Sequence, residues 1–150
     1  MEPIVAEIVR DFKDVHAKFR DEVRGRSREE LNWTPAPETN SVAVLVVHTL
    51  GSEMEMIRIS ADVPHPRDRD AEFRTDDADA DALLALLDQA DALLDELGPT
   101  ISAEDLAAPR PRRDNPPQPC LHWLVTNYGH AREHLAHVQL TQQLYAGWQG

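Results

Sequence analysis

Residues 42–61 read VAVLVVHTLGSEMEMIRISA, and the fold class turns on whether this run is a strand or a helix. Its first half is rich in β-branched residues, which suits a strand. Its length, and the helical spacing of Met54, Ile57 and Ile59, decide for a helix. Val42, Val44, Leu45, Val46, Val47 and Leu50 leave it apolar on most sides, so it belongs inside a core. Asn40 or Ser41 supplies the side-chain oxygen that caps its start.

Three further segments carry a helical period. From Glu2 to Arg24, Ile4, Val5, Ile8, Val9, Phe12, Val15, Phe19 and Val23 form one stripe, and Gly25 can end it. From Asp76 onward, DDADADALLALLDQADALLDELGP carries Leu83, Leu87, Ala90, Leu94 and Leu97. Its first turns are acidic, as the helix dipole favours, and Gly98 and Pro99 stop it. The last helix runs from about Pro119 to Tyr145. Proline-marked stretches separate the four: Pro35 and Pro37, a loop over 62–75, and a linker over 99–119 with six prolines. No β-hairpin signal, internal repeat or glycine-rich phosphate loop stands out. Four amphipathic helices without strands make an all-α four-helix bundle, one domain over residues 1–150.

Composition narrows the function. A net charge of −12 repels phosphate backbones, which argues against nucleic-acid binding. No uncharged apolar run approaches the roughly 20 residues of a membrane span. The opening MEPIVAEIVRDF lacks the pattern of a signal peptide, and the single cysteine, Cys120, forms no intramolecular disulfide; both readings point to the cytoplasm. Two arginine groups stand out, Arg67, Arg69 and Arg74, and Arg110, Arg112 and Arg113. They read either as solubilising loop charge or as a basic rim for a small anionic substrate.

Three of the seven histidines fall in HAREHLAH, at His130, His134 and His137. At 100° per residue, His134 sits about 40° from His130 and His137 about 20° to the other side. Residues four apart have Cβ atoms about 6 Å apart, which suits two imidazoles gripping one ion. Trp123, Asn127, Val138 and Thr141 share that face and turn it inward. A third ligand must come from another helix, and His48 is the candidate, a polar residue inside an apolar run. Antiparallel packing would bring His48 and His130 to one level, each roughly 18 Å from a shared bundle end. His65 lies between prolines in a loop, and His16 borders the first helix's stripe, so neither reads as a ligand. HAREH also fits the H-x-x-E-H pattern of inverted zinc proteases, but nothing after Glu133 is acidic to complete such a site.

LNWTPAPETNSVAVLVVHTLGSE (31–53), followed by HWLVTNYGHAREHLAHVQL (122–140), resembles the DinB/YfiT-like superfamily of metal-dependent proteins over nearly the whole chain. The resemblance implies a four-helix bundle, often dimeric, with a divalent metal ion held by His48, His130 and His134. Nickel and zinc are the expected ions, with manganese and iron as further candidates. It also implies a small-molecule substrate, with a low-molecular-weight thiol as co-substrate of a transferase or isomerase. A metal-bound thiol or water would be the nucleophile. Cys120 lies roughly 15 Å from His130 along the same helix and cannot be that thiol. Glu55 and Glu133 read either as a general base or an acceptor behind a ligand, or more simply as partners of an arginine or water, and the role of His137 stays open. The alternative is a non-catalytic metal- or ligand-binding stress-response protein, and beyond it a plain helical dimer. Leu121, Val125, Tyr128 and Leu135 on the last helix, and Val46, Leu50, Met54 and Ile57 on the second, lie away from the histidines; either the first and third helices cover part of this surface, or it forms a homodimer interface, which is the expectation.

Overall fold

The computed structural model describes residues 1–149. Four long helices carry the fold: α1 (Pro3–Val23), α3 (Val42–Ser60), α5 (Ala80–Leu97) and α7 (Cys120–Gln149). Short helices fill the connections: α2 (Arg28–Asn32), α4 (Arg69–Phe73) and α6 (Ala103–Ala107). α3 packs on α5 and α7, and α1 packs on the same two, so α1 and α3 face each other across the bundle. No helix is long and apolar enough to cross a membrane.

The expected stripes bury, except for Ile4 at the start of α1, which is exposed. Val5, Phe12, Val15, Phe19 and Val23 of α1 meet Leu83, Leu87, Ala90 and Leu94 of α5 and the apolar sides of α3 in one core. Ser41 caps α3 by accepting from the Val44 N–H at 3.1 Å. α5 begins at Ala80, later than Asp76, because Asp79 turns its carboxylate back onto the Ala82 N–H at 2.8 Å and serves as the cap.

The prolines conceal a correction. Residues 109–119 form an antiparallel hairpin, β1 (Pro109–Arg112) and β2 (Asn115–Pro119), where no strand was expected. Both strands are edges, so the missing proline N–H groups can face away from the ladder. Side chains anchor the hairpin. Arg110 Nη1 donates to the carbonyls of Ile59 and Ser60 at 2.9 and 2.7 Å, closing the C-terminus of α3. Trp123 Nε1 of α7 donates to the Arg110 carbonyl at 2.8 Å. The loop expected over 62–75 likewise contains α4, capped by Asp68 on the Ala71 N–H.

His16 is a second correction, being fully buried at the bundle centre and not at its boundary. Its Nε2 meets Glu53 Oε2 of α3 at 2.9 Å, and its Nδ1 meets Asp91 Oδ1 of α5 at 2.6 Å. Burial opposes the charged imidazole, but the two carboxylates outweigh it and push the pKa up to about 9. One imidazolium thus ties three helices together.

The apolar surplus expected to drive pairing is largely covered within the chain. Val46, Leu50, Ile57 and Leu135 are core residues, and Met54 and Tyr128 pack against them. Leu121 and Val125 stay exposed, as do Leu140, Leu144 and Trp148 farther along α7.

Candidate metal centre

The bundle brings the distant histidine to the paired ones. His48 lies mid-α3 and is buried, and α7 runs alongside with His130 and His134 one turn apart. His130 Nε2 stands 3.2 Å from His48 Nε2 and 3.0 Å from His134 Nε2. The three residues each offer one ligand atom, all within 4.8 Å of one another. An ion bonded at about 2.0–2.1 Å to two imidazoles, 90–109° apart, separates their nitrogens by roughly 2.8–3.4 Å. Both spacings to His130 Nε2 fall in that range.

The protonation chemistry agrees with the geometry. His48 Nδ1 lies 3.0 Å from Glu72 Oε1, closer than the 3.4 Å approach of Arg67 Nη2. A carboxylate only accepts, so Nδ1 carries the proton and the His48 Nε2 lone pair faces the cluster. A single proton can bridge only two of three converging nitrogens. His130 Nδ1 is moreover buried without a partner among the described residues, so neither tautomer of His130 is fully satisfied. A cation at the convergence resolves the crowding of lone pairs. Burial lowers the pKa of His130 to about 3, helped by His134, His48 and the guanidinium groups of Arg112 and Arg67. Burial, His48 and His137 lower that of His134 to about 4. Both imidazoles are therefore neutral and able to ligate.

Around the histidines lies a shell of charge, of which the sequence singled out Glu55, Arg67 and Arg112 but not Glu72. Glu72 of α4 accepts from Arg67 Nε and Nη2, both at 2.8 Å, besides its bond with His48. Burial alone would raise the Glu72 pKa, but Arg67 and His48 overcome it and hold the group ionised. Glu72 can enter because α3 has a glycine, Gly51, where it passes; a Cβ there would lie 2.7 Å from the Glu72 carboxyl carbon. The Phe73 ring packs 4.5 Å from that of His48. Gly51 and the Asp68 cap of α4 were the available signals, but neither points to a partner in sequence.

The remaining candidates separate. Glu55 Oε2 lies between Arg67 Nη1 at 2.9 Å and Arg112 Nε at 3.0 Å, and is thereby occupied. Glu133 is exposed to solvent, outside the histidine cluster. His137 is exposed and meets His134, Nδ1 to Nδ1, at 3.2 Å. Asn127 and Thr141 of the inward face are buried, and Trp123 packs with Cys120, Met56 and Ile59. Burial raises the pKa of the Cys120 thiol, which lies against Arg110 and Ser60. His65 and His122 are exposed and apart from the cluster.

A sequence model of the DinB superfamily matches residues 11–138. No curated protein matches the chain. Among solved structures, a conserved protein from Enterococcus faecalis is 20% identical, with a TM-score of 0.77 over 98% of this chain and 99% of its own. YfiT from Bacillus subtilis is 18% identical, with a TM-score of 0.77 over 97% of this chain and 90% of its own. That protein is described as a probable metal-dependent hydrolase with an unusual four-helix bundle topology. At these identities the likeness speaks for the fold.

Proposed function

The chain belongs to the DinB superfamily, and on that premise we propose that it is a divalent-metal-dependent enzyme of the thiol S-transferase or isomerase type, with His48, His130 and His134 as ligands. The convergence of three imidazole nitrogens at ion-binding distances carries the proposal. Imidazole donors suit nickel, zinc or iron, with manganese the less natural fit. When bound, such an ion keeps open positions and lowers the pKa of a coordinated thiol or water towards neutrality.

The chain's own residues set the stage for that chemistry. Glu72 fixes the tautomer and orientation of His48. Glu55 anchors Arg67 and Arg112. His137 meets Nδ1 of His134, the ring nitrogen turned away from the cluster, and orients that ligand from behind. Since Cys120 is buried, the thiol comes as a small co-substrate. We place this single-domain enzyme in the cytoplasm as a homodimer joined through exposed apolar residues of α7, acting on neither nucleic acid nor membrane.

A thiol-conjugation screen on metal-loaded protein tests the reading. Turnover that needs an added thiol, and that disappears in His130→Ala, supports it; equal rates in both proteins defeat it. The description of the Bacillus subtilis neighbour favours a second reading, in which water replaces the thiol. Metal-dependent turnover without any thiol would select that one. Metal binding with no turnover in either screen would select a non-catalytic binding protein.

A further inference from the structure

A cavity of about 310 Å³ opens beside His48 and His130, and Arg67, Arg69, Arg112 and Arg113 line it. This is a concentration of positive charge on a chain whose net charge is −12. Two of the arginines are already engaged. Arg67 and Arg112 are largely buried and share Glu55, and Arg67 also holds Glu72. The other two are available. Arg69 and Arg113 are exposed, and among the described residues neither is ion-paired with a carboxylate. Arg69 is positioned over the Phe73 ring, with its Cζ 4.9 Å from the centroid, and that ring packs on His48. The cavity therefore carries two guanidinium charges beyond those its carboxylates neutralise.

A buried amide on the same wall points to a ligand independently. Asn127 is 2% exposed, its Nδ2 donates to Ser52 Oγ at 2.7 Å, and its Oδ1 has no partner among the described residues. Turning the amide over would let Oδ1 accept from the Ser52 hydroxyl and leave Nδ2 unpaired. In either orientation one polar atom lacks a partner, which is unfavourable unless a ligand or water meets it.

We propose that this cavity is the subsite for an oxyanion, a carboxylate or a phosphate, carried by a small substrate and held next to the three histidines by Arg69, Arg113 and the Nδ2 of Asn127, whose amide turns over so that Oδ1 accepts from the Ser52 hydroxyl and Nδ2 donates to the anion. Guanidinium groups present paired N–H donors that match two oxygens of such a group. A focused positive pocket on an acidic protein also selects small anions over larger ones, which the remaining surface repels. Placement of the substrate's reacting atom at the metal rests on the function proposed above; the anion site itself does not.

Calorimetric titration with succinate and with inorganic phosphate tests the site, on chelator-treated and on zinc-loaded protein. Arg69→Ala and Arg113→Gly are the variants. Both residues are exposed, and Arg113 has a left-handed backbone (φ 51°) that glycine adopts more easily, so the fold should be retained. The double variant is expected to bind the preferred probe at least tenfold more weakly than the wild type, with or without zinc. Binding of one probe alone identifies the oxyanion. His134→Ala, a proposed ligand that does not line the cavity, is expected to keep anion binding while losing zinc, which separates this site from the metal. The proposal is overturned if neither probe binds, if the double variant binds as tightly as the wild type, or if anion binding is lost with His134.

Discussion

Alanine at Gly51 perturbs the site while leaving every proposed ligand in place. In an isolated helix the change would stabilise α3 by about 0.8–1 kcal/mol, because alanine is the better helix former. Here the new Cβ would lie 2.7 Å from the Glu72 carboxyl carbon, so the carboxylate has to move away. It would take with it the bond to His48 Nδ1 at 3.0 Å and both bonds from Arg67 at 2.8 Å. Hydrogen bonds to charged groups contribute about 1.5–3 kcal/mol each, partly recovered when the freed carboxylate meets water. The helix gain is therefore outweighed, and a net destabilisation of about 1–2 kcal/mol is expected. Losing the carboxylate behind a metal-binding histidine typically costs 10–100-fold in metal affinity, or about 1.4–2.8 kcal/mol. Zinc titration against a chromophoric chelator reads the second effect, and urea unfolding of the same samples reads the first. Glu72→Ala should weaken zinc to a similar degree, and the double variant should be no weaker than Glu72→Ala alone. Wild-type zinc affinity in Gly51→Ala, or losses that simply add in the double variant, would refute the reasoning.

Three further outcomes are expected. A pKa raised to about 9 means that His16 stabilises the fold fully below its unfolded value of 6.5 and loses that contribution as pH rises through 9. The loss is at most about 3 kcal/mol between those limits, and urea unfolding at pH 6, 8 and 10 should show it, with His16→Leu flattening the dependence. His65→Ala and His122→Ala should bind zinc as the wild type does, since both side chains lie outside the cluster; a tenfold loss in either would place a ligand elsewhere. Light scattering should give about 34 kDa, twice the 16.9 kDa chain, and a stable mass near one chain would remove the dimer without touching the metal site.

What could be read from the sequence was what a single helix determines. The stripes of α1 and α5 repeat every three to four residues, so their buried faces followed from spacing alone. His130 and His134 share one face of α7, and His48 interrupts an apolar run, so each showed itself without knowledge of a partner. The contacts behind them did not. Glu72 reaches His48 across 24 residues of chain, and Arg112 reaches Glu55 across 57, from a five-residue helix and a proline-rich hairpin that only docking holds in place. His16 was misplaced for the same reason, because the carboxylates that make its burial tolerable lie 37 and 75 residues away. The hairpin itself was hidden by its prolines, which ordinarily argue against strands.

Metal analysis of protein purified without a histidine tag bears on the account most directly. One divalent ion per chain is the expected content, falling sharply when His48 on α3 is replaced by alanine although His130 and His134 on α7 are intact. Full metal retention in the His48→Ala protein would contradict a centre shared between the two helices.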